Sequence, residues 1–466
     1  MQRNDVVKGV FIAVPLAVLV FLYGFWLVVD TPIYVESMIV GAISLALFAL
    51  LYIHFVPRAF DFVLGAEKEL QLSAVQRMRT IGVRELVRLV FMLAVGRALF
   101  MLGAFLWSLY LNGFTETVVE IQHVWADHLY AGRIISIANK GYAVETAEFA
   151  GKYLNLLFPP LYSMIVRLIS PFYLSSIRAG FFIANINAIL SGVVLYLLVL
   201  HDSDRRSALR SVWYYSIFPP SFLLTCTIPA STFLLLSLLC IYCARRKYFV
   251  FSSLLGALAA LTDRAGIVLV IPLLLEFFAV MTQEYRSLRE ITWRFYLKKS
   301  LIGSTLILVP LGFILYLVIN RVVGGSFFTY VEYLEEVYSS RFALFYRVSG
   351  IQTEKLINAF LFYEPSLAYG LYLPTVFFSL ACLALAVAVR KELRVSYLAY
   401  FMVCYGVILG QTGVMDAPRQ LFCCFPVIIA LTRLTKNRWI DLLLSLLCIA
   451  GSVFYLGMYV AGWPVV

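Results

Sequence analysis

Runs of about twenty apolar residues recur along the whole chain, and they decide its fold class before anything else. A helix needs roughly 20 such residues to cross a bilayer, with about 17–25 as the working range. Residues 9–29, 38–56, 90–111, 178–200, 301–319, 367–389, 397–413 and 440–459 meet that length. Shorter or interrupted stretches at 211–226, 229–242, 248–261, 266–280 and 421–434 complete the set. The runs are unbroken rather than alternating, which excludes an outer-membrane barrel. Only 14% of residues are charged and 62% are hydrophobic, whereas soluble domains carry about 25% charged residues. A soluble enzyme, a disordered chain and an ordinary nucleic-acid binder are excluded with that. The expected fold class is an all-α polytopic membrane protein of about 13 transmembrane helices.

Charge orients the spans. The net charge is +11, and the basic residues gather between runs: at 58–88, 205–210, 245–247, 286–299, 390–394 and 433–438. Loops rich in Lys and Arg stay cytoplasmic. Placing all six there makes thirteen crossings alternate correctly, provided that residues 154–169 lie along or re-enter the membrane. The +11 is then a consequence of topology and needs no anionic partner such as nucleic acid. The opposite face receives two long loops, 112–177 and 321–366, and a short connection at 414–419. The run 9–29 lacks a small-residue cleavage site and reads as a retained first helix rather than a signal peptide.

Few residues carry chemistry. The eight cysteines lie in apolar segments without zinc-type spacing to histidine. Cys240 and Cys243, a Cys-x-x-Cys inside a leucine run, read as helix filling. No Gly-rich phosphate loop follows a strand, so no nucleotide site is expected. The first external loop holds Trp125-Ala126-Asp127-His128-Leu129-Tyr130, then Ile137-Ala138-Asn139-Lys140-Gly141-Tyr142, then Phe158-Pro159-Pro160-Leu161-Tyr162. Asp127 has two readings from the residues alone. It is an N-cap before the helical segment that follows, or a general base at the membrane surface, where a carboxylate takes a proton from a hydroxyl. Asp263 and Arg264 interrupt an apolar stretch, and they read as an external turn or as a cation for a phosphate. Arg419 has the same two readings, and its fork suits bidentate pairing with phosphate. Arg97 lies inside a span, with Glu276 or a carbonyl as its expected partner. Tyr330, Glu332, Glu335 and Glu336 read as a solvated helix face or as a segment that closes over an acceptor.

The order and spacing of these motifs resemble the bacterial and archaeal relatives of the second GPI mannosyltransferase, integral-membrane glycosyltransferases of the GT-C class. That family's first external loop reads Trp-Asp and a Tyr, Ile-Ala-x-x-Gly-Tyr, then Phe-Phe-Pro-Leu-Tyr-Pro. Downstream the resemblance falls on Asn185 and Asn187, on Phe218-Pro219 followed by Ser231 to Leu238, on Leu258 to Gly266, and on Pro418-Arg419 before Phe425-Pro426. It covers roughly residues 90–435. Ala126 separates Trp125 from Asp127, Asp263 stands where the pattern has Arg, and Gln420 stands where it has Tyr.

The resemblance implies a GT-C-like bundle. Residues 1–89 would be two extra N-terminal helices and a basic loop, 90–435 the catalytic membrane core, and 436–466 a C-terminal transmembrane helix. It implies transfer of a hexose, mannose first, from a polyprenyl-phosphate-sugar donor lipid to a glycan or lipid acceptor. The reaction would lie on the non-cytoplasmic face of the cell membrane. Asp127 would be the catalytic base, and Trp125, His128, Tyr130, Tyr142, Arg264 and Arg419 would bind substrate. No cofactor is called for, and a divalent metal is left open. A lipid or oligosaccharide transporter or flippase is the alternative, for which paired halves are expected and none is visible. A different membrane transferase, or a partner-binding role for the first two helices, are further alternatives.

Overall fold

The computed structural model describes residues 2–29, 34–65, 82–111, 123–126, 130–142, 153–287, 293–413 and 416–465. Within a bilayer each backbone N–H and C=O needs a protein partner, and a helix supplies both from one segment. The described residues follow that rule: they are helical, with one isolated antiparallel bridge between Phe342 and Gln411.

Helices α1 (Gln2–Val29), α2 (Val35–Val63) and α3 (Val83–Leu111) come first. A single turn at His123–Ala126 precedes α4 (Ala131–Lys140) and α5 (Leu161–Tyr173). Then follow α6 (Ser176–Asp202), α7 (Arg205–Ile217), α8 (Ala230–Arg245), α9 (Phe249–Thr262) and α10 (Val270–Ser287). The second half holds α11 (Trp293–Ser304), α12 (Leu308–Gly324), α13 (Thr329–Tyr338), α14 (Phe345–Leu361), α15 (Leu373–Ala388) and α16 (Val395–Ile408). Helices α17 (Ala417–Cys423), α18 (Pro426–Leu434) and α19 (Arg438–Val460) close the chain.

Among the described residues, eight segments are long and apolar enough to cross a bilayer, and up to ten if each of two bent pairs is one span. The chain is an integral, multi-pass helical protein. The remaining expected segments are shorter or broken. Helices α9 and α16 are apolar but short. The expected span 211–226 divides between polar-faced α7 and a 3-10 turn at Pro219–Thr225, which meets α8 at 103°. Helices α17 and α18 meet at 78°. Each break carries a proline (Pro219, Pro229, Pro426), which lacks the N–H that would continue the ladder. Residues 154–169 form a 3-10 turn and part of α5, whose 13 residues rise only about 20 Å, short of the roughly 30 Å hydrocarbon core.

The N-terminal pair is docked rather than appended. Leu51 and Phe62 of α2 are fully buried. The ring of Tyr23 meets that of Tyr346 edge-on at 5.4 Å. A Cβ on Gly350 would lie 2.8 Å from the Trp26 ring, so α14 approaches α1 where only glycine fits.

A buried charge network ties one end of the bundle. Arg394 donates to both oxygens of Glu276, at 2.6 and 2.9 Å. Arg245 pairs with Asp202 at 2.5 Å and with Glu276 at 3.4 Å. This supplies Glu276 with partners other than Arg97. Arg97 instead donates to the Ser221 carbonyl at 2.7 Å and lies over the Tyr215 ring. Helix α16 begins beside this network and ends, about 20 Å on, at a cavity near the other end of the bundle.

Candidate functional site

The cavity holds about 560 Å³ and opens between the start of α4, the break between α9 and α10, the inner face of α13 and the start of α17. Its polar lining includes Tyr130, Asp263, Arg264, Asp416, Arg419 and Gln420, with Arg133, Thr262 and Gln411 beside them.

The chain breaks in the right places to put these side chains there. At Asp263 the backbone turns extended (φ −145°, ψ 143°), ending α9. Its carboxylate accepts from the Ala265 N–H at 2.9 Å and so caps the 3-10 turn Arg264–Leu269. Gly266 completes the break: a Cβ there would sit 2.4 Å from the backbone of Ala259 and Ala260. Arg264 is thereby presented at a helix break rather than buried along a helix side. Arg419 is placed by α17, which opens at Asp416 and contains Pro418 in its first turn.

Each arginine lies over an aromatic ring. The Arg264 guanidinium carbon is 5.3 Å from the Tyr330 ring centroid, and that of Arg419 is 5.6 Å from the Tyr130 ring centroid. Tyr130 in turn stacks on Phe158 at 4.9 Å. A guanidinium held by its face keeps its N–H edge available for a planar or tetrahedral anion. Asp416 accepts from Arg419 and from Gln420. Burial pushes the Asp416 carboxyl up, but Arg419, Gln420 and Arg264 together hold it below its ordinary value. Burial raises the Tyr130 phenol well above its usual value, so it remains a hydrogen-bond donor.

Two donors here lack a partner among the described residues. They are Nη1 of Arg264 and Nε of Arg419, and both atoms are buried. Leaving a buried donor unpaired costs about 1–3 kcal/mol, more when charged. Both arginines line the cavity, so an anion entering it meets two guanidinium groups whose hydrogen-bonding capacity the protein leaves partly unused. No group of three or more His, Cys, Asp or Glu gathers as a metal site among the described residues.

The residues singled out in the sequence fall in three places. Tyr130, Arg264 and Arg419 meet on the cavity wall. Trp125 does not reach it: the indole is fully buried, stacked on Tyr459 at 5.5 Å and packed against Phe222. Tyr142 is not on the wall either. Its hydroxyl donates to the Phe158 carbonyl at 2.9 Å, bracing the residue on which Tyr130 stacks. Asp127 and His128 lie outside the described residues.

The structure adds Leu334 and Tyr338 to the site and settles which way Tyr330 turns. Tyr330 faces the cavity, against the reading of α13 as a wholly solvated face. Tyr330, Leu334 and Tyr338 line the wall at helical spacing, while Glu332, Glu335 and Glu336 point outward and are exposed. That three-residue apolar stripe, spaced every four positions, was the available signal.

No family model and no curated protein matches the chain. Among solved structures, it is similar to ArnT from Cupriavidus metallidurans bound to undecaprenyl phosphate. The identity is 12% and the TM-score 0.42, over 73% of each chain. The apo state of the same protein gives 13% identity and a TM-score of 0.40, again over 73% of each chain. The archaeal oligosaccharyltransferase AglB from Archaeoglobus fulgidus, in complex with an inhibitory peptide and a dolichol-phosphate, gives 14% and 0.38. There the likeness covers 79% of this chain and 56% of AglB. At these TM-scores the likeness decides nothing, and the functional reading stands on the residues of the cavity.

Proposed function

We propose that the chain is a membrane glycosyltransferase. It moves a hexose, mannose first, from a polyprenyl-phosphate carrier to an acceptor hydroxyl on the non-cytoplasmic face. The observation that carries the reading is the pair of ring-backed arginines on one cavity, each with a buried N–H lacking a partner. A lipid phosphate supplies the anion they fit. A sugar activated by such a carrier also needs no nucleotide domain, and the sequence shows none.

In this mechanism the acceptor oxygen attacks the anomeric carbon as the bond from that carbon to the phosphate oxygen breaks. The electron pair leaves with the phosphate, where Arg264 and Arg419 stabilise the developing charge, usually the largest catalytic term. The acceptor proton passes to Asp127, which stands three residues before cavity-lining Tyr130 in the sequence. A single displacement inverts the anomeric centre.

The test is transfer of radiolabelled sugar from synthetic polyprenyl-phosphate mannose, and separately glucose, to a membrane extract. Wild type transfers label from one donor, and Asp127→Asn folds but does not. Wild-type rates in Asp127→Asn remove the base from the mechanism. No transfer from either donor by folded protein removes mannose and glucose as the transferred sugar and turns the reading to another carrier-borne sugar, then to the transporter.

A further inference from the structure

We infer that Asp263 is a specificity residue that accepts a hydrogen bond from a ring hydroxyl of the transferred sugar. The inference rests on the lipid-phosphate reading above and names what lies beside the phosphate.

Asp263 sits on the cavity wall and half-buried, next in sequence to Arg264. One carboxylate oxygen is occupied by the Ala265 N–H at 2.9 Å. The other has no hydrogen-bond or ion-pair partner among the described residues. Asp416, the second carboxylate on the wall, is in a different state: Arg419 and Gln420 occupy both its oxygens. Capping alone does not account for an aspartate at 263, because Asn and Ser cap a turn as well. Neither of those adds a negative charge next to an anion site, where a carboxylate repels the very ligand that the arginines attract. That charge also favours the charged form of the nearby Arg419, and the carboxylate's free oxygen serves the ligand if the ligand brings donors. A glycosyl phosphate does: its ring hydroxyls stand within a few bonds of the phosphate. A hydroxyl donating to an ionised carboxylate forms a bond roughly twice as strong as one between neutral groups. A bare phosphate offers no such donor and meets only the repulsion. Asp263 therefore favours the sugar-bearing lipid over the sugar-free lipid that remains after transfer.

The experiment measures binding of four synthetic lipids to the full-length protein in nanodiscs: polyprenyl phosphate, and its mannose, glucose and galactose conjugates. Wild type, Asp263→Asn and Asp263→Ser are compared, because both variants keep a capping side chain, and thermal midpoints confirm that they fold. Wild type prefers one sugar-bearing lipid to the bare phosphate. In both variants affinity for that lipid falls about ten-fold, as expected for one lost charge-assisted bond, while affinity for polyprenyl phosphate is unchanged or improved. Equal losses for both lipids, no loss for either, or a wild type that does not tell them apart would each leave Asp263 as a cap and overturn the inference. A wild type that binds none of the four overturns the lipid-phosphate reading itself, and this inference with it.

Discussion

The guanidinium of Arg264 lies 5.3 Å above the ring of Tyr330, and the two come from segments separated by more than two spans' length of chain. Helix α13 thus reaches over the cavity to hold the arginine by its face. The Tyr330 backbone N–H is itself fixed by Asn320 Oδ1 at 3.1 Å. A cation over an aromatic ring is worth about 0.5–2 kcal/mol. Tyr330→Leu should therefore raise donor KM about three- to ten-fold with kcat little changed. Tyr330→Phe keeps the ring and should stay near wild type. Steady-state kinetics on the two variants check this, and equal effects would remove the ring from the argument.

Gly266 tests whether the break after α9 sets the arginine. A Cβ there meets backbone at 2.4 Å, which no side-chain adjustment relieves. Gly266→Ala should cost about 1–3 kcal/mol or more and weaken donor binding, because Asp263 and Arg264 shift with the turn. Gly132→Ala, where a Cβ meets nothing within 4 Å, is the matched control. Thermal unfolding and donor titration of both variants make the comparison.

The Asp416 carboxyl is held below its ordinary value, about 3.9 for a free aspartate. A group with a depressed folded pKa contributes stability that is complete above the unfolded pKa. The contribution is lost as pH falls through the folded, lower value. The Asp416–Arg419 pair should hence be indifferent to pH between about 5 and 8 and weaken only in stronger acid. Asp416→Asn should make the acid limb of a stability–pH profile shallower, the remainder belonging to other paired carboxylates such as Glu276 and Asp202. A limb that is unchanged by the substitution assigns it wholly to those other groups.

The buried network at the far end gives a prediction of opposite kind. Glu276 is fully buried and holds both Arg394 and Arg245. Removing its charge leaves two arginines short of a partner, at a cost of about 3–5 kcal/mol. Glu276→Gln should lower the melting temperature while the donor KM of the remaining folded protein stays unchanged. A raised KM at full stability would place Glu276 in the functional machinery.

The sequence disclosed those parts of the molecule that local composition decides. Apolar runs become helices because hydrophobicity and helix length are properties of one segment, so most spans were legible. Arg264 and Arg419 were visible because a charge inside or beside an apolar run must be accommodated. What they face was not visible, since it depends on non-local packing. The inward turn of Tyr330 requires knowing where α13 lies. The burial of Trp125 requires Tyr459, more than three hundred positions away. Arg97 illustrates the same limit. Its inward direction and a carbonyl partner followed from its place in a span, but that the carbonyl is that of Ser221, 124 positions on, depends on where the two segments pack. The bends at Pro219–Arg245 and Ala417–Leu434 had proline markers, yet a proline states where a helix can break and not the angle that results.

The central claim is that Arg264 and Arg419 together hold a lipid-linked phosphate. The most direct measurement is donor kinetics with radiolabelled polyprenyl-phosphate mannose for wild type, Arg264→Gln and Arg419→Gln, each checked for folding. The account predicts that each substitution weakens donor use at least about ten-fold, the worth of one charged hydrogen bond. It also predicts a larger loss in the double variant. Folded variants with wild-type KM and kcat would contradict it.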